Sequence, residues 1–274
     1  MTYWGTNTYL LGHQAIAVID PGPDDAAHLS AILAAVGTAR VTHVIVTHNH
    51  LDHSPLARRL ADATGAQVFA FGTHLAGRST IMQRLAAEGL AGGGEGIDHD
   101  FAPDVLLEDD EVITGDEWSL RVIHTPGHIG NHISLAWGDT IFTGDHVMGW
   151  ASSLVSPPDG DLTDFMTSCA RLGAFASQIY YPAHGAPITD PHARLSWLVN
   201  HRKSREAQIL AALQGQTLSV AALTRLIYTQ VAPALLPAAE RNVFAHLVDL
   251  HQKGVVTANP TLSAAAKFQL FEES

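Results

Sequence analysis

The chain has 274 residues, 46% hydrophobic and 15% charged, which is enough apolar content for a sizeable core and too much for a disordered chain. Its formal net charge of −12 argues against a general binder of nucleic acid or anionic membrane. No apolar run reaches the ~20 residues of a membrane span, "MTYWGTNTYLLG" has no signal-like stretch, and the single cysteine, Cys169, excludes an intrachain disulfide framework, so a soluble cytoplasmic protein is expected.

In chain order, "NTYLLG" and "AIAVIDPG" read as paired strands with a turn at Gly12-His13. "DDAAHLSAILAAVG" reads as a helix capped by Asp24 or Asp25 and ended by Gly37. "VTHVIVT" is a nearly continuous apolar strand, as expected when both faces are covered. "SPLARRLADATG" places Ser54 at a helix N-cap and Pro55 at the first helical position. With "AQVFAF" as the next strand, the order ββαβαβ predicts an α/β layered fold. The glycine-rich stretch from Gly89 to Asp104 is a flexible or functional loop. "EVITG", "WSLRVIHT", "HISLAWG" and "TIFTG" form an antiparallel meander. "DLTDFMTSCARLGAF" is a helix, "QIYYPAHG" a strand with its loop, and "DPHARLSWLVNHRKSREAQILAAL" a long helical stretch.

From about Asn200 the character changes: three helical patterns precede "VVTANP" and "AKFQLFEE", which can pair as a hairpin. That is the outline of a winged helix, and it divides the chain into a catalytic domain, 1–199, and a C-terminal domain, 200–274. The tail holds seven Lys/Arg against five Asp/Glu, leaving eight against twenty-two in the larger domain, where the acidity therefore sits.

Seventeen histidines are distributed unevenly. "VTHNHLDHSP" puts His48, His50, Asp52 and His53 within six residues at the mouth of a strand. Neutral imidazole suits Zn, Fe, Ni and Cu, and a carboxylate adds charge and suits harder ions. So many donors exceed one tetrahedral site and fit two adjacent metals better. Histidines serving only as caps explain little, because Ser54 already stands at the cap position and further loops of the same kind follow. "HTPGHIGNHISL" places His128, "FTGDHVMG" Asp145 and "YYPAHGAP" His184, each in a glycine-containing loop just after a short strand. Four strand ends converging on one sheet edge would build a single site.

These signatures, "THNHLDH", "TPGH", "TGD" and "PAHG", resemble those of the metallo-β-lactamase-fold hydrolases and cover most of residues 7–190. The resemblance implies an αββα sandwich with a metal site at one edge. It implies His48, His50 and His128 on a first metal, Asp52, His53 and His184 on a second, and Asp145 bridging. The bridging aspartate marks the two-metal hydrolases, such as the glyoxalase II, lactonase and RNA-processing branches. "GTNTYLLG", "TPGH" with "NHISL", and the helix "HRKSREAQIL" with its His201, Arg202 and Arg205 are similar to the β-lactamase-like endoribonuclease subgroup, whose catalytic domain precedes a winged helix. Two departures stand out: the chain begins almost at "GTNTYLLG", where that subgroup has a further strand, and "GDHVMGWASSLVSPPDGD" differs from the shorter, cysteine-containing loop of its animal branch.

Two divalent transition-metal ions are expected, zinc foremost, with Fe or Mn accepted by the same donors. Ions ~3.5–4 Å apart lower the pKa of a shared water towards neutrality, and the hydroxide attacks an ester, thioester, amide or phosphodiester. Asp52 is the expected catalytic residue, ligating a metal, orienting the hydroxide and passing its proton to the leaving group. His146, Arg202 and Arg205 are candidate substrate contacts, the arginines on a helix lying over the site. His132 reads as a loop or strand histidine or as support for the site. His74, Arg78 and His99 flank the mobile middle loop, either solvated or touching substrate. Asp159 and Asp161 read as caps of the following helix, and Cys169 as a core thiol. A hydrolase of a small-molecule ester, thioester or lactone leads, with a metal-dependent ribonuclease acting on single-stranded RNA as the alternative and a non-hydrolytic or di-iron oxidoreductase relative as a third. The expected partner is a small molecule, with RNA and a second copy of the chain also open and no membrane. A ribonuclease would need phosphate contacts to offset the −14 of the larger domain, and "PAAERNVFAHLVDLHQKG" has only Arg241 and Lys253 as firm positive charges.

Overall fold

The computed structural model describes residues 5–92 and 96–272, so the part of the glycine-rich loop at 93–95 and the opening residues 1–4 lie outside the described residues. β1 (Tyr9–Leu11) and β2 (Ala15–Ile19) pair antiparallel, as the turn at Gly12-His13 requires. α1 (Ala26–Val36) starts where the Asp25 carboxylate accepts from the amides of Ala27 and His28, and it ends at Gly37, whose φ is +61°. β3 (Arg40–Ile45), α2 (Leu56–Thr64) and β4 (Gln67–Ala70) follow. The start of α2 differs from expectation: no side chain caps it, and Pro55 precedes the first helical residue. The helix begins one residue later than expected, so Ser54 is not at its cap, and the Ser54 hydroxyl donates to Asp98 Oδ2 of the middle loop at 2.8 Å.

α3 (Thr80–Ala87), to which the sequence reading assigns no helix, is capped by Ser79. β5 (Val105–Leu106), β6 (Val112–Thr114), β7 (Ser119–His124), β8 (Ile133–Trp137) and β9 (Thr140–Gly144) come next. α4 (Leu162–Gly173) is capped by Asp161, and β10 (Ile179–Pro182) leads to α5 (Pro191–Ala212).

One sheet has the order β1-β2-β3-β4-β5 and the other β10-β9-β8-β7-β6. Their facing sides close over Ala17, Ile19, Ile45, Leu120, Val122 and Leu135. The outer side of the first packs Val18, Val44 and Val68 against Ile32 of α1 and Leu56 and Leu60 of α2. The outer side of the second packs Ile123, Ile141 and Tyr180 against Phe165 and Leu172 of α4 and Leu198 of α5. The result is the αββα sandwich, each buried aliphatic side chain contributing roughly 1.5–3 kcal/mol.

Strand direction places the site. β2, β3 and β4 run parallel, so the segments after β2 and β3 leave from the same edge. β9 is parallel to β10, and β7 and β9 are both antiparallel to β8, so the loops after β7, β9 and β10 leave from one edge of the second sheet. Pro182 pairs with Gly144, which sets Asp145 beside His184. Gly144 takes φ +49°, and a Cβ there would stand 2.5 Å from His132 Nε2, so only glycine fits this turn.

The C-terminal lobe contains β11 (Leu218–Ser219), α6 (Val220–Ile227), a short 3₁₀ turn, α7 (Leu236–Gln252), β12 (Val256–Asn259) and β13 (Lys267–Leu270). β12 and β13 form the expected hairpin, and β11 extends it to the order β11-β13-β12. Its core, including Leu223, Val243, Phe244, Leu247 and Phe268, also takes in Met82 and Leu85 of α3. α5 runs unbroken through residue 200 into this lobe.

Candidate metal centre

The seven donors expected from the sequence meet at the shared sheet edge. Ligand atoms of His48, His50, His128 and Asp145 lie within 4.8 Å of one another, as do those of Asp52, His53 and His184. Asp145 joins the two sets. Its Oδ2 is 3.5 Å from His128 Nε2 and 3.9 Å from His48 Nε2. Its Oδ1 is 3.2 Å from His184 Nε2 and 3.6 Å from His53 Nε2. Asp52 Oδ2 is 3.2 Å from His184 Nε2 and 3.4 Å from His53 Nε2.

Neighbouring groups decide which nitrogen of each ring faces the centre. His128 Nδ1 donates to Leu154 O at 2.8 Å, His184 Nδ1 to Gly5 O at 3.0 Å, and His53 Nδ1 to Asp20 Oδ2 at 3.0 Å. The Thr47 hydroxyl gives its hydrogen to Asp20 Oδ2 and accepts from His48 Nδ1 at 3.0 Å. Each of these four rings therefore points Nε2 inward, the atom that offers a lone pair to a cation when the ring is neutral. His50 is turned the other way, with Nδ1 at 3.0 Å from both His48 Nε2 and His128 Nε2. One hydrogen on His50 can serve only one of those two lone pairs. The buried atoms His53 Nε2, Asp52 Oδ1 and Asp145 Oδ1 have no hydrogen-bond partner. Converging lone pairs and orphaned carboxylate oxygens fit divalent cations well.

The electrostatics agree. Burial, reinforced by neighbouring imidazoles, holds His48 and His50 well below the usual histidine pKa, in the neutral form that ligates. Burial pulls His53 and His184 down as well, but the carboxylates of Asp145 and Asp52, with Asp20 at His53, override it. His53 ends well above its usual value and His184 at about 10, so a proton takes the place a cation would hold. Burial pushes Asp52 and Asp145 up, yet their histidine neighbours keep both well below the usual carboxylate range.

Two supports escaped the sequence reading, and a third was left open by it. Asp20 orients His53 and Thr47 and takes φ +51°, unusual outside glycine. Its signal was a carboxylate at the end of an apolar strand, just before Pro-Gly. Thr6 Oγ1 donates to Asp52 Oδ2 at 2.9 Å. His132, read as either a strand residue or a support, accepts from the Asp145 amide at 3.1 Å and so steadies that ligand.

A cavity of about 420 Å³ opens on His50 and His128. Leu75, Ala86, Leu90, Ile97, Leu154 and Pro158 make its apolar wall. His74, Arg78 and His99 line it too, and Arg78 pairs with Asp159 at 2.7 Å. Asp159 thus serves an ion pair rather than a cap, whereas Asp161 does cap α4 through the Thr163 amide. The three residues named from sequence as substrate contacts lie elsewhere. His146 is fully buried, with Nε2 3.4 Å from Cys169 Sγ and its ring on Phe165. Cys169 is a core thiol whose pKa burial pushes up to about 12. Arg202 is buried against Asn242 and the Ser153 carbonyl, and Arg205 reaches Gln208 and the Tyr228 ring. No helix among the described residues is long and apolar enough to cross a membrane.

Comparison with known proteins agrees with this geometry. Residues 1–199 match the metallo-beta-lactamase superfamily, and residues 219–263 match the beta-lactamase associated winged helix domain. The "Beta-lactamase-like protein 2 homolog" of Drosophila melanogaster is 29% identical over 281 aligned positions, covering 99% of this chain and 90% of that protein. An "Atrochrysone carboxyl ACP thioesterase" of Aspergillus fumigatus is 31% identical over 220 positions, 78% of this chain and 62% of the relative's length. The crystal structure of a metallo-beta-lactamase family protein from Thermus thermophilus superposes with a TM-score of 0.77, covering 97% of this chain and 93% of the other, at 22% identity. With its donor loops at one edge of an αββα sandwich, the chain belongs to the metallo-beta-lactamase superfamily, as a hydrolase carrying a C-terminal winged-helix domain.

Proposed function

We propose that the protein is a binuclear metal-dependent hydrolase of an ester, thioester or similar bond in a small molecule, with zinc as its metal. The observation that carries this is the split of Asp145, one oxygen towards each donor set. Divalent ions there supply Lewis acidity and acidify a water molecule. His48, His50 and His128 would hold one ion, and His53, His184 and Asp52 the other, with Asp145 shared. Asp52 is the more exposed carboxylate, its side chain 17% accessible against 5% for Asp145. Its Oδ2 is anchored by Thr6, leaving Oδ1 to orient the attacking water and carry its proton to the leaving group.

The cavity favours a small, partly apolar substrate. Among its described lining residues the one guanidinium, Arg78, is already paired, whereas an RNA path calls for free cations. α7 turns Val243, Phe244, Leu247 and Val248 into the protein rather than presenting a basic face to a groove. The name of the Aspergillus relative supports including thioesters in the substrate class. Elemental analysis of reconstituted protein, combined with assays on thioesters, lactones, phosphodiesters and single-stranded RNA, tests the reading. Two ions per chain and turnover of a thioester or lactone are expected. One ion or none, or turnover of RNA alone, overturns it.

A further inference from the structure

The irregular segment Ser153–Ser156 runs between the ligand loops and the C-terminal lobe, and hydrogen bonds hold it on both sides. Towards the metal centre, Ser153 Oγ contacts the carbonyls of Asp145 and His146, and Leu154 O accepts from His128 Nδ1 at 2.8 Å. Towards the lobe, the Ser153 carbonyl accepts from Arg202, the Val155 amide donates to Asn242 Oδ1 at 3.2 Å, and Ser156 Oγ accepts from Arg241 at 3.1 Å. Arg202 also donates to Asn242 Oδ1 at 2.9 Å, so α5 and α7 grip the segment jointly. Arg241 reaches further, to Pro157 O and Ala91 O at 3.4 Å and Gly92 O at 3.5 Å, all beside residues that line the cavity.

Arg202 is 3% exposed, and its acceptors here are a carbonyl and an amide oxygen, with its flat face over Phe165 at 5.0 Å. A guanidinium buried on neutral acceptors is costly, and a nonpolar side chain of similar volume would join the two modules with less penalty. The charge makes sense if the lobe has to aim something rather than merely adhere. We propose that Arg202, Asn242 and Arg241 are positioning residues for the metal centre, fixing Ser153–Ser156 so that Leu154 O orients His128 and Ser153 Oγ orients Asp145. This rests on the metal-dependent reading above. The winged-helix lobe thus forms the outer support of the ligand set.

Supports of this kind typically change metal affinity by roughly tenfold to a hundredfold. The test uses the full-length protein, stripped of metal and titrated with Zn²⁺ against a chromophoric chelator, and in parallel loaded with Co²⁺ for its visible spectrum. Asn242→Ala and Arg241→Ala are expected to weaken the tighter Zn²⁺ site by about tenfold and to alter the cobalt bands. Arg202→Met is expected to do more; if it fails to fold, the two other variants still decide. Phe268→Leu, in the lobe core but away from the segment, is expected to lower the melting temperature while leaving affinity and spectrum unchanged. Wild-type affinity and spectrum in Asn242→Ala and Arg241→Ala overturn the proposal, as does an equal shift in Phe268→Leu. Wild-type protein that takes up no metal overturns the underlying metal reading instead, so the two failures are distinct.

Discussion

His128 and His146 are both buried, and each follows a strand of the same sheet, yet their rings live differently. His128 donates one nitrogen to a carbonyl and turns the other to a place where further donors converge. His146 lies on Phe165 beside a thiol, and burial holds its pKa down at about 3. His246, in the middle of α7, has no hydrogen-bond partner at either nitrogen and is likewise lowered to about 3, by burial and then by the nearby cation of Arg202. Burial alone therefore does not mark a ligand. Four of the five ligand histidines, His48, His53, His128 and His184, have a partner that pins one ring nitrogen and aims the other at the centre, and His50 is held among them by His48 and His128.

The comparison breaks most visibly at Asp145, the group common to both donor sets. Asp145→Ala is expected to lose both ions and to drop turnover to background, read by metal analysis and kcat together; retention of two ions would show that the carboxylate is not shared. At Asp52, alanine should lower kcat by about 10²- to 10⁴-fold, the range of general acid–base catalysis, while the His48/His50/His128 ion stays. Equal loss of both ions in Asp52→Ala would reassign its role. Asp20→Asn tests the aiming partner itself: metal affinity at the His53 side should fall by roughly tenfold to a hundredfold, and an unchanged titration would contradict the comparison.

The smallest effect lies with the unaimed ring. The folded pKa of His246 is depressed to about 3, so below about pH 6.5 the unfolded chain binds a proton that the fold refuses. Above that pH the ring is neutral in both states and adds no pH dependence, and stability is lost as the pH falls towards 3. His246→Leu should therefore gain on the wild type by on the order of 2 kcal/mol between pH 7 and pH 5, measured by chemical denaturation at each pH. A gap independent of pH would mean that the ring is charged in the fold.

The ligands were legible because each lies within a few residues of a strand end, where short-range spacing carries the information. The order of the strands was legible too, since β7, β8 and β9 are adjacent in the chain and separated by glycine turns. The supports were not. Asp20 meets His53 across 33 positions, and Arg202 meets Ser153 across 49, distances over which no local pattern speaks. Arg202 reads as an anion binder on a solvated helix face, and only its contacts with Phe165 of α4, Asn242 and the Ser153 carbonyl show that the side chain is interior. The partner of Ser54 was hidden in a similar way: the carboxylate that accepts from its hydroxyl comes from Asp98, in a loop whose path the sequence leaves open.

α5 has 22 residues and therefore spans about 33 Å without a joint. Its first half packs under the second sheet through Leu195 and Leu198, and its second half enters the lobe through Ile209. A shaft of that kind transmits torque: the lobe cannot swing without melting helical turns that the sandwich needs. The two modules should consequently melt as one cooperative unit, and limited proteolysis should find no hinge between them to cut.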